Sequence, residues 1–221
     1  MMNNLFSIFD PSTSLNFSTN WISCLIIFLC LPLIFWTIPS RLQLFWLKIT
    51  KYFVNELLNI FKKTNKKFIL IFASFFWFIL ASNFMGLFPY IFTPTSHINL
   101  TSLLALTFWL TLMLFGWINL TKLMFSHLVP MSTPIFLAPF MVIIETISNL
   151  IRPITLSVRL SANMISGHLL ICLLSSTLQN FMIFPMITPI LITLMILESA
   201  VAIIQSYVFV TLATLYLNEI N

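Results

Sequence analysis

The chain has 221 residues, 60% of them hydrophobic and only 7% charged, with a net charge of +5. A water-facing domain carries about a quarter charged residues, so this composition excludes one large soluble all-α core, whose helices would need charged outer faces. Seven of the ten lysines and arginines fall between Arg41 and Lys67. That clustering reads as a topogenic signal beside one apolar segment and not as a phosphate-binding stripe, which excludes nucleic acid as a partner.

The first twenty residues contain neither a basic amphipathic transit peptide nor a basic leader. The expectation is a chain made where it works, or inserted without a cleaved signal. A first membrane span is predicted over 21–38, stopping at Pro39-Ser40. The basic segment 41–67 interleaves Leu44, Phe45, Leu47, Ile49 and Phe53 with Lys48, Lys51, Lys62, Lys63, Lys66 and Lys67, which predicts an amphipathic helix lying on the membrane surface. The positive-inside rule puts it on the cytoplasmic or matrix side and the N-terminus on the other.

Two further spans, about 68–88 and 98–120, make a helical hairpin over 68–122 that turns through Pro89–Ser96 and ends near Lys122. A loop from Ser126 to Ser132 leads to Thr133-Pro134, an N-cap followed by the residue favoured at the first helical position. His97 and His127 fall in loops and are expected to be solvated. Cys24, Cys30 and Cys172 sit in apolar surroundings without CxxC spacing, so they read as small hydrophobes, and no metal site or cofactor is expected.

The last 90 residues are unusual. Segments 134–178 and 181–217 stay apolar and helix-compatible throughout, lengths of roughly 67 and 55 Å against a hydrocarbon core of about 30 Å. They must be tilted, split, or kinked at Pro139, Pro153, Pro185 or Pro189. The fold class expected is therefore all-α: a polytopic membrane protein with one span, a surface amphipathic helix, a two-helix hairpin and two long tilted membrane helices, in a single membrane domain. No internal repeat is evident, which counts against an inverted-repeat transporter.

Glu145, Arg152, Arg159, His168 and Glu198 lie within the two long segments, with Glu219 at the end. A charge at mid-membrane costs at least about 2.5 kcal/mol, so each is a functional candidate. Glu145, Arg152 and Arg159 are seven apart and share one face if the helix is unbroken, and Asn163 joins them. His168 points to the opposite side. Glu198, Gln205 and, less closely, Phe209 line one face of the last segment. Glutamate and histidine can exchange protons near neutral pH, whereas arginine keeps its charge and cannot relay. A fixed cation between titratable groups repels a proton wire and attracts a passing carboxylate. Arg152, beside Pro153, is expected at the membrane interface, with no assigned role.

The string Ser157-Val158-Arg159-Leu160-Ser161-Ala162-Asn163-Met164-Ile165-Ser166-Gly167-His168, with Ile-Ile-Glu-Thr-Ile-Ser at 143–148 and Leu-Glu-Ser-Ala-Val-Ala-Ile-Ile-Gln-Ser-Tyr-Val-Phe at 197–209, closely resembles subunit a of F-type ATP synthases. The resemblance spans essentially the whole chain and is strong in the last 90 residues. It implies a non-catalytic stator subunit of the Fo sector, whose long helices lie tilted against the rotating ring of c subunits. The family's essential arginine falls on Arg159, the histidine and glutamate of the intermembrane-space uptake route on His168 and Glu198, and the acidic residues of the matrix release route on Glu145 and Glu219. Asn163 and Gln205 match polar positions near the arginine.

Bacterial members tend to carry a carboxylate where this chain has His168 and a histidine where it has Glu198. The exchange keeps the pair and points to the mitochondrial branch. The implied partners are the c-ring, peripheral-stalk and other Fo subunits, the lipid bilayer and protons. The implied location is the mitochondrial inner membrane, with the N-terminus in the intermembrane space and segment 41–67 and the C-terminus in the matrix. A secondary transporter binding an anion through Arg159 would call for glycine-interrupted helices and repeats. A bis-haem subunit would need paired intramembrane histidines, and His168 is the one candidate.

Overall fold

In the computed structural model, residues 5–13, 17–30, 38–88, 91–129, 134–177 and 184–220 are described. Every regular element among them is helical: α1 (Ser23–Cys30), α2 (Arg41–Ile60), α3 (Ile69–Gly86), α4 (Ile98–Asn119), α5 (Thr121–His127), α6 (Ala138–Thr177) and α7 (Phe184–Ile220). Short 3-10 turns cover Leu5–Phe9, Thr19–Ile22, Lys63–Phe68, Pro94–Ser96 and Ile135–Leu137. Four helical stretches among these residues, Lys66–Gly86, Ile98–Asn119, Ala138–Thr177 and Phe184–Glu219, are long and apolar enough to cross a membrane. Of the span expected over 21–38, residues 31–37 lie outside the described residues, as do Pro89-Tyr90 in the hairpin turn and residues 130–133 before α6.

The basic segment begins with a capping box. Ser40 Oγ accepts from the Gln43 amide, and Gln43 Oε1 accepts from the Ser40 amide at 2.9 Å, so two orphan donors of the first turn are satisfied reciprocally. Lys48, Lys51, Asn55 and Asn59 of α2 are exposed, while Phe53 and Leu57 are buried. Phe53 stacks on Phe76 of α3 with ring centroids 3.9 Å apart, and Trp46 meets Trp77 at 4.0 Å. Aromatic pairs at these separations add to the area they bury.

The core lies where α2, α3, α4, α6 and α7 converge. Phe53, Leu57 and Phe61 meet Phe72, Phe76 and Ile79 of α3, Ala105, Phe108 and Leu112 of α4, Leu156 and Leu160 of α6, and Phe209, Val210, Ala213 and Leu217 of α7. Each set recurs at three- and four-residue spacing, the inward stripe of a helix. α4 packs along α6, α3 along α7, and α6 and α7 meet each other.

α6 starts at Ala138 after a 3-10 turn in which the Leu137 amide donates to the Pro134 carbonyl at 2.9 Å, later than a start at Pro134 would give. Its 40 residues and the 37 of α7 run to about 60 and 55 Å. Pro153 and Pro189 fall inside them, each removing a ladder hydrogen bond.

Two ends are tied by polar contacts. Asn218 Nδ2 donates to the Ile60 carbonyl at 2.7 Å, and Lys62 Nζ donates to the Asn218 carbonyl at 2.9 Å. The last turn of α7 thus caps the end of α2. At the other end, the His97 ring is 5.3 Å from Trp21 and 5.2 Å from Phe92, and its Nε2 is buried. The expectation of a solvated His97 is corrected, because Trp21 of the N-terminal segment and Phe92 of the hairpin turn pack against its ring.

Gly86 allows α3 to meet the turn and α6. A Cβ there would lie 2.5 Å from Thr93 Cγ2 and 3.3 Å from Met164 Cε, and Thr93 and Met164 are themselves buried. Gly86→Ala is expected to destabilise the fold by about 1–3 kcal/mol through overpacking. A thermal melt followed by thiol-dye labelling of the half-buried free Cys24 and Cys172 checks this, and an unchanged midpoint would contradict the packing described.

Candidate functional site

Glu198 and Gln205 are buried because of the register in which they sit. The inward stripe of α7 runs through Glu198, Ala202, Gln205, Phe209, Ala213 and Leu217, so the apolar residues that seat the helix carry the two polar ones inward with them. Each is only 5% exposed. Across from them, α6 presents Pro153, Leu156, Ser157, Leu160, Ser161 and Met164.

Asn163 Nδ2 donates to Gln205 Oε1 at 3.0 Å and joins the two helices. One turn on, a Cβ at Gly167 would lie 2.3 Å from Glu198 Oε1 and 2.7 Å from its Cδ. The carboxylate therefore rests against bare α6 backbone, an approach that only glycine permits. Both Glu198 oxygens and His168 Nε2 are buried and have no hydrogen-bond partner among the described residues. His168 is half-buried, with Phe9 edge-on to its ring at 6.3 Å. Beside Glu198 lies a cavity of about 450 Å³, lined by Asn163, Ser166, Gly167 and Leu170 of α6 and Thr193, Leu197 and Glu198 of α7; His168 is not part of its lining.

A second cavity, of about 610 Å³, opens further back along α6. It is lined by Glu145, Thr146, Asn149 and Arg152 of α6, Tyr216 and Glu219 of α7, and Trp109, Trp117 and Met124 from α4 and α5. Arg152 Nη1 donates to Glu219 Oε2, and its guanidinium lies 4.7 Å over the Tyr216 ring. The charge that sequence alone left without a role thus has both a carboxylate and an aromatic face. Glu145 is half-buried in the cavity wall, and Glu219 is exposed at its rim.

Arg159 belongs to neither cavity. It is exposed, on an outward stripe of α6 that includes Ile151, Thr155, Val158, Ala162, Ser166 and Leu170. Among the described residues it makes no ion pair or hydrogen bond. The four residues expected on one face separate: Glu145 and Arg152 line a cavity, Arg159 looks outward, and Asn163 turns to α7. Each heptad drifts by about 20° on a straight helix, and Pro153 interrupts the ladder between Arg152 and Arg159. Sequence reasoning did not single out Gly167 or Tyr216. Gly167 carries a signal, being one of three glycines in 221 residues, and Tyr216 carries none.

The sequence that forms these two cavities and the outward-facing cation between them has known relatives. The sequence profile described as ATP synthase A chain matches residues 17–218. The chain belongs to that family. It is 53% identical to ATP synthase subunit a of Anopheles quadrimaculatus and 53% identical to that of Drosophila melanogaster, in both cases over the full length of both chains. The subunit a of Anopheles gambiae is 52% identical, again over all of both chains. Membership ties the chain to ATP synthesis, proton transport and the membrane.

Gly167 yields a direct test of the geometry. Gly167→Ala leaves every ionisable group in place but pushes the Glu198 carboxylate off α6. The expected result is an assembled complex whose proton-driven ATP synthesis falls about tenfold, equivalent to about 1.4 kcal/mol. An assembled variant with the wild-type rate would mean that the position of Glu198 against α6 is immaterial.

Proposed function

We propose that the chain is the proton-conducting stator subunit in the Fo sector of a rotary ATP synthase, non-catalytic in itself, and that it offers two offset half-channels to the c-ring. In this reading protons enter from the intermembrane space past His168 and Glu198, board the carboxylates of the ring, and leave to the matrix past Glu145 and Glu219. Asn163 and Gln205 keep a polar path near the arginine. The observation that carries the reading is the separation of the two cavities. Their α6 linings cover 145–152 and 163–170, so about 16 Å of helix lies between Arg152 and Asn163, and Arg159 stands within that interval.

An unpaired arginine on an apolar face is costly in lipid. A carboxylate arriving on a partner removes that cost and exchanges its proton for the arginine's company. The small side chains Ala162 and Ser166 beside Arg159 leave room for close approach. Because arginine does not give up its proton, no relay crosses it, and a proton reaches the far cavity only by riding the ring. The ion gradient supplies about 2.3 kcal/mol per charge and 100 mV.

The proposed membrane is the mitochondrial inner membrane, crossed several times within one membrane domain that includes the span 21–38 and the hairpin 68–122. Segment 41–67 and the C-terminus share the matrix side in this reading. Support comes from the basic flank and from the bonds between Lys62 and Asn218, which bring the end of α2 and the end of α7 together. Peripheral-stalk and other Fo subunits would complete the stator.

Replacing the outward cation separates this reading from a simple channel. Arg159→Ala is expected to abolish proton-driven ATP synthesis in the assembled complex and to open a passive proton leak. Arg152→Gln, which removes the cation shared by Glu219 and the Tyr216 ring, is expected to slow synthesis without a leak. Retained coupled synthesis in Arg159→Ala would sink the assignment.

A further inference from the structure

A third cavity, apart from the two already described, lies between the N-terminal segment, the start of α4 and Ile165 of α6. It holds about 310 Å³ and is lined by Phe6, Phe9, Ser96, His97, Asn99 and Ile165. Its roof is the N-terminal segment, which is built and not loose. Thr13 Oγ1 donates to the Phe17 carbonyl at 2.9 Å, Thr19 Oγ1 donates to Thr13 Oγ1 at 2.9 Å, and Asn20 Nδ2 reaches the Asp10 carbonyl at 3.3 Å. The segment is anchored by aromatic rings at both ends, Phe9 against His168 and Trp21 against His97 and Phe92.

One imidazole lines this space and a second stands near its wall. His97 lines the cavity itself, and its Nε2 is buried without a hydrogen-bond partner among the described residues. His168 lies three residues beyond Ile165, on the same side of α6. Phe9 belongs to both surroundings, lining the cavity and standing edge-on to His168. Buried nitrogen atoms without partners call for water, and a cavity of this size beside His97, with Ser96 and Asn99 in its wall, can hold several.

We propose that His97 is a further residue of the proton uptake route, receiving protons beneath the N-terminal segment and passing them through water in this cavity toward His168. The inference rests on the proposed uptake role of His168. It adds a first acceptor ahead of that residue and gives the N-terminal segment a task, which is to roof the path and keep it narrow.

The charged and titratable groups around His97 are few. The N-terminal segment brings Asp10, and α1 brings Cys24. α6 brings His168 and, farther along, Arg159; Glu198 of α7 lies beyond His168, while α4 and the turn Pro94–Ser96 bring none. Asp10 is exposed, and the Ser12 amide, with its hydroxyl second, holds the carboxyl below the ordinary aspartate range. It is a standing negative charge next to Phe9, of the sign that concentrates protons near the cavity. Imidazole is the side chain whose ordinary titration falls between pH 5 and 8, where a group that loads from solvent and unloads inward must work.

The test is ATP synthesis by the assembled complex in liposomes as the pH on the uptake face is varied at a fixed driving force. His97→Gln keeps a hydrogen-bonding side chain but cannot carry a proton. The expected result is a wild-type rate at acidic pH and a half-maximal point moved about one unit toward acid, tenfold in proton concentration, with recovery on adding imidazole. Asn99→Phe, which fills the cavity from an exposed position, is expected to give the same shift without recovery. Phe92→Leu disturbs only the clamp on His97 and should lower the amount of complex without moving the profile. Unshifted profiles in both His97→Gln and Asn99→Phe would overturn the proposal. His168→Leu run alongside tells the two readings apart: if it too leaves synthesis intact, the uptake assignment fails first, and with it this one.

Discussion

The contact on which the site depends is the approach of Glu198 to the bare backbone at Gly167. Asn163 meets Gln205 and Gly167 meets Glu198, so rising along α6 corresponds to descending along α7, and the two long helices run antiparallel through the site. A side chain at 167 would hold them apart or turn the carboxylate away. With glycine there, the acid is enclosed, and the Asn163–Gln205 bond fixes the register beside it. The bond satisfies Asn163 Nδ2 and Gln205 Oε1 and offsets part of the cost of removing them from water. Gln205 Nε2, the Glu198 carboxylate and the His168 imidazole are buried without partners among the described residues, and they keep that part of the interface reactive.

The far end of α7 is held in a different manner. Asn218 bonds to the end of α2, and the next residue, Glu219, pairs with Arg152 of α6. One helical turn therefore ties α2 to the wall of the larger cavity. Movement of α2 cannot leave that cavity unaffected, because the two share adjacent residues of the same turn. The apolar core directly beneath, with Leu217 fully buried against Leu57 and Phe61 in the same cluster, stiffens the joint.

Much of this was legible in the sequence where one physical signal acted alone. Runs of apolar residues without charge gave helices long enough for a membrane, and the expense of burying Glu198 made it a candidate before its surroundings were known. The spacing of Glu198 and Gln205 placed them on one face, and both are buried on the inward stripe of α7. The sequence was silent where a neighbour decides the outcome. Arg152 and Arg159 have the same charge on the same helix, yet one pairs with a residue 67 positions away and the other faces outward. Pro153 beside Arg152 pointed to an interfacial position, but nothing local named its partner. His97 looked like a solvated loop residue because its clamp comes from Trp21, 76 positions earlier. The opening turn of α6 was misjudged since Thr133-Pro134 favours a helix start without saying whether the first turn is 3-10 or α.

Pro153 has one more consequence. Lacking an amide hydrogen, it leaves the carbonyl of Asn149 without its usual helical donor, and Asn149 lines the larger cavity. The main chain itself thus adds an acceptor to a wall in which Glu145, Thr146, Arg152 and Glu219 stand among tryptophan, methionine and leucine. Water can wet that stretch of the path without any further charged side chain, so the hydration of the wall is written into the backbone and would survive the loss of the Asn149 amide.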